Sequence, residues 1–215
     1  MSQGRRINVE EARSYAILLM ALLRPFTVAQ KLCGSVRRGR TTADGLQLVV
    51  IPRMGEPSTA AEGRKCPNLL WGRVDELVRR PGPLGHAPPT RQDDGSLWPA
   101  LATDGHRKLR WHNVEVDLYT ATMASWGAML LTRTGPPELS ERWMSALEER
   151  GLQMKEGKVV DQAGVLVAVP SEQAAFELVR WPFVPLELRD GWARSNFSDS
   201  WLRGQMNAQP TPRSR

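Results

Sequence analysis

The sequence is poor in the residues that build disulfide and zinc sites. Two of its 215 residues are cysteines, Cys33 and Cys66, and three are histidines. Two cysteines do not make a disulfide framework in a chain of this size, and neither residue type has the paired spacing of a metal site. We therefore exclude a disulfide-stapled secreted domain, assign the histidines no role, and expect a reducing, cytoplasmic compartment.

Long apolar runs are lacking as well. The longest run, from Tyr15 to Leu23, is too short to cross a bilayer. No charged and then apolar leader with a small-residue cleavage site opens the chain, so we expect neither secretion nor a membrane partner.

What the chain has is 29 Lys and Arg against 23 Asp and Glu, a net charge of +6. This excess favours polyanionic partners such as nucleic acid or nucleotides, without establishing one.

The hydrophobic pattern alternates between helix and strand signals. Asn8 and Glu11 form a capping pair before a helical stripe of apolar residues that Pro25 ends. Short apolar runs from Val28 to Cys33 and from Leu46 to Ile51 then predict two strands of a covered sheet. Together they indicate a mixed α+β fold.

The rest of the chain continues this mixture. Charged and apolar residues alternate from Leu109 to Tyr119, which predicts a strand with Glu115 and Asp117 on one face. Helices are predicted over Leu69–Arg80, Met123–Leu131, Pro136–Gly151 and Ser171–Val179, a hairpin at 161–164, a mobile Pro- and Gly-rich loop over 81–105, and a basic, largely irregular tail over 193–215. Trp192 and Trp201, which lie among arginines, either stack on bases or dock this tail.

A short motif lies between the two predicted strands. Residues 33–40 read Cys-Gly-Ser-Val-Arg-Arg-Gly-Arg. A Gly-Ser turn lets backbone N–H groups approach an anion closely, and an arginine fork fits phosphate oxygens. The segment therefore suits a triphosphate, although taken alone it favours a basic surface turn, since short Gly and Arg motifs recur by chance.

This segment resembles the Gly-Ser turn in the palm of family X DNA polymerases, the polymerase beta and lambda group of the nucleotidyltransferase superfamily. Other motifs extend the resemblance over about residues 7–190. Val116-Asp117-Leu118 resembles the strand that carries the family's third carboxylate, and Thr134-Gly135 resembles its Thr-Gly turn. The thumb helix and the closing segment are matched by Ala146-Leu147-Glu148 with Gly151-Leu152, and by Pro182 to Arg189.

The resemblance implies a fold, a substrate class and a cofactor. It implies an α+β chain with a nucleotidyltransferase palm of mixed sheet and helices over 1–125, a small α/β thumb over 126–192 and the tail over 193–215. It implies a DNA repair polymerase acting on DNA ends or gaps with a nucleoside triphosphate and Mg²⁺ or Mn²⁺. Because the chain starts close to the palm, it is most similar to the small phage and bacterial members, and we expect no lyase chemistry.

Individual residues carry the family's roles only where they match its motifs. Asp117 is the matching catalytic and metal-binding carboxylate. The matching nucleotide-binding residues are Gly34, Ser35, Arg38 and Gly39, with Thr134 and Gly135 forming the thumb turn near the nucleotide. Just before that turn, where the family has an aromatic pair near the sugar, this chain has Thr132 and Arg133.

Two of the family's three carboxylates are replaced. The family places two acids at i and i+2 on one strand, and in this chain Gly45 and Gln47 stand at those positions. Two Mg²⁺ ions bring four positive charges, which Asp117 alone does not offset. Asp44 stands where the family has a glycine facing the triphosphate, so its carboxylate would repel the nucleotide as well.

Two rescues of the metal site are conceivable. A one-residue slip brings Asp44 to the first acid position, but it places Leu46 at the second and turns the apolar set to the wrong face. Alternatively, Glu115 forms a relocated carboxylate pair with Asp117, with Asp44 nearby. The competing interpretation makes Glu115 a solvated or salt-bridged strand residue. The candidate partners for that ion pair are Arg37, Arg38 and Arg110.

These observations lead to ranked functional hypotheses. We expect a family X polymerase-like nucleotidyltransferase whose catalysis is impaired because Gly45 and Gln47 replace metal-binding acids. The alternative is a non-catalytic DNA- or nucleotide-binding relative that serves another protein as an accessory or structural module. A nucleotidylating toxin built on the same superfamily core fits less well, because the thumb segment also matches the polymerase group.

Overall fold

The computed structural model describes residues 6–56, 67–79, 102–103, 105–111 and 114–208, and it shows a mixed α+β chain. The helices are α1 Val9–Leu23, α2 Gly34–Arg37, α3 Leu69–Arg79, α4 Trp126–Thr134, α5 Pro137–Glu148, α6 Glu172–Leu178, α7 Leu186–Arg194 and α8 Asp199–Ala208. The strands are β1 Ile7–Asn8, β2 Thr27–Leu32, β3 Thr42–Ala43, β4 Leu46–Pro52, β5 Ala102–Thr103, β6 His106–Trp111, β7 Val114–Thr120, β8 Leu152–Lys155, β9 Lys158–Asp161 and β10 Leu166–Val167. None of the described helices has both the length and the apolar character to cross a membrane.

The main sheet has five strands in the order β2-β4-β7-β6-β5. Its central pair, β4 and β7, is parallel, whereas β2 and β6 pair antiparallel with their neighbours. β1 and β3 form a small two-stranded sheet, and β8 to β10 form a three-stranded antiparallel sheet. Because β4 and β7 run the same way, the amino-terminal ends of both strands open at the same edge of the sheet.

Two hydrophobic clusters fill the interior, and a third joins them. The first packs α1 and α3 against the main sheet, with Leu19, Leu48 and Leu118 fully buried. The second packs α4 to α8 around two fully buried aromatic residues, Trp143 and Phe176. The third cluster consists of Cys33, Val49, Ile51, Ala121, Met129 and Leu130. The boundaries expected at residues 125 and 192 stay predictions.

Several predicted elements are confirmed at their ends, where local chemistry fixes them. The Asn8 side chain accepts a hydrogen bond from the Glu10 amide, so it caps α1 as expected, and Pro25 lies in the 3-10 turn that ends the helix. Ser171 caps α6 by accepting from the Ala174 amide. The hairpin at 161–164 is also confirmed, since Asp161 accepts from two amides of the turn between β9 and β10.

Three predictions need correction. The single strand expected over Leu109–Tyr119 is two antiparallel strands, β6 and β7, because Trp111 pairs with Val114 across a reversal of the chain. The helix expected from Met123 begins only at Trp126. The tail expected to be irregular from residue 193 contains α8, which buries Leu202. The loop expected over 81–105 lies outside the described residues except at 102–103 and 105, as do Cys66 and residues 209–215.

The aromatic residues near the carboxyl terminus belong to the second cluster. Trp192 is buried and meets Trp181 and Phe197 edge to face, with ring centroids 5.5 and 5.2 Å away. Trp201 packs on the same cluster from α8. Of the two roles expected for Trp192 and Trp201, the structure therefore has them docking α8 on the helices before it.

Candidate functional site

A cleft of about 620 Å³ opens between the main sheet and the helices that follow it. Its lining consists of Gly34, Ser35, Arg38, Asp44, Gly45, Gln47, Glu115, Asp117, Thr132, Arg133, Gly135, Pro137, Ser140, Glu141 and Met144. Most of the residues expected at the site from the sequence therefore come together. Two of these residues do not line the cleft. Gly39 is exposed on the turn after α2, and Thr134 is fully buried.

We call the strand ends with Asp44, Gly45, Gln47, Glu115 and Asp117 the sheet wall. Parallel pairing of β4 and β7 sets Gln47 directly beside Asp117. Leu46 and Leu48, on either side of Gln47, are buried in the first cluster. The one-residue slip that would bring Leu46 to the acid position is therefore wrong, because it would put that leucine into the cleft and a polar side chain into the core.

Gly45 has no room for a side chain. A Cβ atom built there would lie 2.8 Å from the backbone oxygen of Glu115, closer than real Cβ contacts allow. The obstacle is backbone of the neighbouring strand, so an acid at this position requires β4 and β7 to move apart. The close approach of these strands therefore requires a glycine at this position.

Asp117 is already hydrogen-bonded inside the protein. Its Oδ1 atom lies 2.8 Å from Nε2 of His106 on the adjacent strand β6. An ionised carboxylate only accepts hydrogen bonds, so Nε2 carries the proton in this pair. The His106 ring also stacks on Tyr119, with centroids 4.3 Å apart and planes 7° apart. His106, to which the sequence assigned no role, thus orients Asp117, the carboxylate predicted from the motif resemblance.

The other two candidate acids are paired as well. Oε2 of Glu115 lies 3.4 Å from Nζ of Lys108, and Oδ1 of Asp44 lies 3.0 Å from Nε of Arg6. Glu115 is thus the salt-bridged strand residue of the competing interpretation, with Lys108 as its partner. Of the three arginines expected, Arg37 and Arg38 bond elsewhere, and the side chain of Arg110 lies outside the described part of the chain.

The donors present do not fit a site for two divalent ions. Within the described ranges, no group of three or more His, Cys, Asp or Glu side chains is arranged to hold a metal ion. Gln47 contributes a neutral amide, Gly45 contributes nothing, and Asp117 shares its oxygens with His106. Mg²⁺ and Mn²⁺ need several hard, preferably charged oxygens at one point, which this wall does not supply.

The Gly-Ser turn, residues 34–35, forms the opposite side of the cleft floor. Gly34 has φ +68°, and a Cβ there would lie 3.0 Å from the Gln47 side-chain oxygen. Glycine is therefore required both by the left-handed backbone and by the close approach of Gln47. Ser35 follows at the start of α2 and lines the cleft.

Arg38 lines the cleft but is held by other parts of the protein. Its guanidinium donates to the backbone oxygens of Thr134 and Gly135 and pairs with Asp190 on α7, with Nε 3.2 Å from Oδ1. Arg40 binds the same carboxylate at 2.8 Å. Burial alone would raise the pKa of Asp190, but the neighbouring Arg40 and Arg38 outweigh burial and hold the pKa below its usual range.

A second ion cluster lies behind the turn. Arg37 donates to the Thr134 hydroxyl at 2.8 Å and to the Glu172 carboxylate. Arg189, which is fully buried, donates to the same carboxylate at 2.7 Å and to the Val184 backbone oxygen at 3.1 Å. Burial would raise the pKa of Glu172, but the two guanidinium groups outweigh it and lower that pKa. We call Arg37, Arg38, Glu172, Arg189 and Asp190 the arginine latch. It joins α2 to α6 and α7.

Arg133 differs from Arg38 in being unpaired. Its guanidinium carbon lies 4.1 Å from the centre of the Tyr119 ring, so it covers that ring and faces the cleft. Burial and the charge of Asp117 raise the pKa of Tyr119, and Arg133 offsets part of this rise. No hydrogen bond or ion pair joins the Arg133 side chain to any residue in the described ranges.

Sequence reasoning missed the partners of the site residues. Arg6 and Lys108 form ion pairs with Asp44 and Glu115, and His106 is hydrogen-bonded to Asp117. Asp190 and Glu172 hold the arginines. Lys108 and Asp117 are cross-strand neighbours, so recognising the β6–β7 hairpin would have placed His106 and Lys108 beside Asp117 and Glu115. Nothing in the local sequence marks Asp190 or Glu172, whose partners Arg38 and Arg37 lie 152 and 135 residues away.

A scan against protein-family models finds no match to this sequence, and a search of curated proteins finds no similar chain. The family resemblance therefore rests on the motifs themselves. The geometry adds that the turn, the parallel strand pair and the Thr-Gly turn border a common cleft, although its acids are paired.

Proposed function

We propose that this chain is a polymerase beta-like nucleotidyltransferase relative, of the small phage and bacterial type, that binds DNA ends or gaps and nucleoside triphosphate while its transfer chemistry is impaired or lost. The proposal joins the motif resemblance to the arrangement of the cleft. A Gly-Ser turn after one strand, a parallel strand pair and a Thr-Gly turn line one opening, which is the arrangement that the resemblance implies.

One observation carries the loss of chemistry: Gln47 lies beside Asp117 in the parallel strand pair, and Gly45 has no space for a carboxylate. Phosphoryl transfer of this type depends on two ions that bridge the attacking oxygen and the leaving group. A wall with one of three acids in place supplies too little negative charge for two such ions. Without them the developing charge has no stabilisation, so transfer is slow or absent.

Binding does not need the missing acids. Of the four carboxylates among the described lining residues, Asp44, Glu115 and Asp117 each have a cationic or imidazole partner, which leaves Glu141. Pairing reduces the repulsion that these acids would exert on a triphosphate or a DNA phosphate. The net charge of +6 favours the same ligands.

An active transferase is the second candidate, and a specific observation favours it. Asp44, Glu115 and Asp117 line a single cleft, so a ligand set different from the family's could form there. That set requires the carboxylates to leave Arg6, Lys108 and His106 and to converge on one point. The cost of breaking three existing interactions makes this candidate the weaker one.

Two measurements on the full chain separate the candidates. Primer extension on a one-nucleotide-gapped duplex with Mg²⁺ or Mn²⁺ should give no product, and titration of the same labelled duplex should give binding that weakens as salt rises. Extension by the native chain that Asp117→Ala abolishes would establish the active transferase. The proposal would be refuted if the native chain bound neither the gapped duplex nor the nucleoside triphosphate.

A gain-of-function variant tests why the chemistry is absent. Position 47 lines the cleft, so Gln47→Asp places one acid there beside Asp117. Gly45→Asp, in contrast, must first push β4 and β7 apart. We therefore expect Gln47→Asp to bind Mn²⁺ more tightly than the native chain, as measured by electron paramagnetic resonance. Gln30→Asp, on the edge strand β2 and outside the cleft lining, is the matched control and should leave Mn²⁺ binding unchanged.

A further inference from the structure

Arg133 is a cation in the cleft whose charge no neighbouring side chain offsets. The other arginine among the described lining residues, Arg38, is occupied by Asp190 and by two backbone oxygens. Arg133 has no such partner in the part of the chain that the structure describes, and its Nε atom is buried without a hydrogen bond. Nitrogens of Arg37, Arg73 and Arg189 are unpaired in the same way, but those arginines have other hydrogen bonds, whereas Arg133 lines the cleft without one to any described residue.

The protein holds this guanidinium against an aromatic ring. Arg133 covers one face of the Tyr119 ring at 4.1 Å, and His106 stacks at 4.3 Å on the same ring. His106 is itself fixed by its 2.8 Å hydrogen bond to Asp117. A guanidinium that rests on an aromatic ring still has N–H groups along its edge, and these match two oxygens of a phosphate.

We propose that Arg133 is the anion-binding residue of the cleft and that it takes a phosphate group, either from a nucleoside triphosphate or from the DNA backbone. This inference rests on the proposed function and names the contact through which that function operates. Arg38, the residue that the resemblance assigns to phosphate, would have to leave Asp190 before it could bind one. Arg133 needs no such exchange, because no hydrogen bond or ion pair to a described residue holds its guanidinium.

The test measures equilibrium binding with two probes, a nucleoside triphosphate without divalent metal and a labelled one-nucleotide-gapped duplex. Arg133→Gln removes the charge and the fork, and Arg142→Gln removes an equal charge from an exposed position on α5. We expect Arg133→Gln to weaken at least one probe about tenfold, the usual range for a charge-assisted hydrogen bond. Arg142→Gln should stay within about twofold on both probes, because it touches no bound phosphate.

Two further variants keep the inference testable if Arg133→Gln fails to fold. Arg133→Lys keeps the charge but loses the planar fork, so we expect weaker binding than in the native chain. Tyr119→Phe keeps the ring beneath the guanidinium and should bind both probes like the native chain. Far-UV circular dichroism and thermal melting establish that each variant is folded.

The outcomes separate this inference from the proposed function. Weakening of the triphosphate alone identifies free nucleotide as the phosphate source, and weakening of the duplex alone identifies the DNA backbone. The role of Arg133 is overturned if the native chain binds both probes and neither Arg133→Gln nor Arg133→Lys weakens that binding. It is also overturned if Arg142→Gln weakens binding as much as Arg133→Gln does. In both cases the proposed function stands. A native chain that binds neither probe overturns both.

Discussion

The two sides of the cleft use charge in different ways. On the helix side, the arginine latch buries its charges: Arg189 is fully buried, and the side chains of Glu172 and Asp190 are only 10% and 13% exposed. On the sheet wall the carboxylates are more exposed: the side chains of Asp117 and Glu115 are 22% and 24% exposed, and the ion pair of Asp44 with Arg6 leaves both side chains 77% exposed. Removing one partner of a buried ion pair strongly destabilises the fold, whereas an exposed ion pair contributes little to stability.

This difference separates the charges that hold the fold together from the charges that line the cleft. The latch joins α2 to α6 and α7, so a charge lost there would disturb the packing of the whole molecule. The sheet wall is held differently, because Gln47 pairs with Asp117 in the β4–β7 ladder and Gly45 lets the two strands lie close together. Fold and chemistry thus depend on different residues of one cleft.

Removing Glu172 should be the most damaging single change in this comparison. Glu172→Ala leaves the buried guanidinium of Arg189 and that of Arg37 without their counter-ion. Breaking a buried pair in this way costs about 3–5 kcal/mol. Urea unfolding at neutral pH should show this loss, and Glu177→Ala, an exposed carboxylate on the same helix, should change stability by less than about 0.5 kcal/mol. Equal effects of the two variants would mean that the latch does not stabilise the fold.

Acid should weaken the same latch, but less than the removal of a side chain does. Arginine neighbours hold the pKa values of Glu172 and Asp190 below their ordinary values of 4.5 and 3.8. A carboxyl whose pKa is lower in the folded state stabilises the fold above its unfolded pKa and loses this contribution as pH falls through the folded pKa. We therefore expect the free energy of unfolding to fall steadily below about pH 5.

The carboxamide variant isolates the contribution of Glu172 to this pH dependence. Glu172→Gln is less stable than the native chain at neutral pH, but it has no carboxyl to protonate at that position. Its unfolding free energy should therefore fall less steeply with acid than that of the native chain, as followed by urea titrations from pH 7 to about pH 3. Parallel pH profiles of the two proteins would contradict the lowered pKa of Glu172.

A methyl group at Gly45 tests how tightly the sheet wall is closed. Gly45→Ala places a Cβ atom 2.8 Å from the Glu115 backbone oxygen, so the parallel strands must shift, at a cost of about 1–3 kcal/mol. Gly72→Ala, in α3 where a Cβ meets nothing within 4 Å, should instead stabilise the chain slightly because alanine favours helix. A Gly45→Ala protein as stable as the native chain would show that an acid could stand at this position.

How much the sequence predicts depends on how local the cause is. Helix caps such as Asn8 and Ser171 and the end of α1 at Pro25 follow from neighbouring residues, and they are confirmed. The β6–β7 hairpin was missed because alternation continues through both strands, so periodicity does not mark the reversal between Trp111 and Val114. α8 was missed because a short, polar helix has little apolar periodicity and forms by docking Leu202 on the second cluster.

For the candidate site, too, the sequence predicts what has a local cause and misses what depends on distant residues. Motif spacing brought Ser35, Arg38 and Asp117 to one place, and all three line the cleft. It could not reveal that Arg38 is bound by Asp190, because that contact joins residues 152 positions apart and depends on how α7 packs. Nor could it reveal the absence of space at Gly45, which arises from the spacing of two strands far apart in sequence.

The exposed ion pair on the sheet wall should give the smallest effect. Arg6→Ala removes the partner of Asp44, but both side chains are 77% exposed and water replaces the lost interaction. Exposed pairs contribute about 0–1 kcal/mol, so the midpoint of urea unfolding should hardly move. The freed carboxylate at the cleft should instead weaken binding of a nucleoside triphosphate and make that binding more sensitive to salt. A loss of stability as large as that of Glu172→Ala would erase the distinction between the two sides of the cleft.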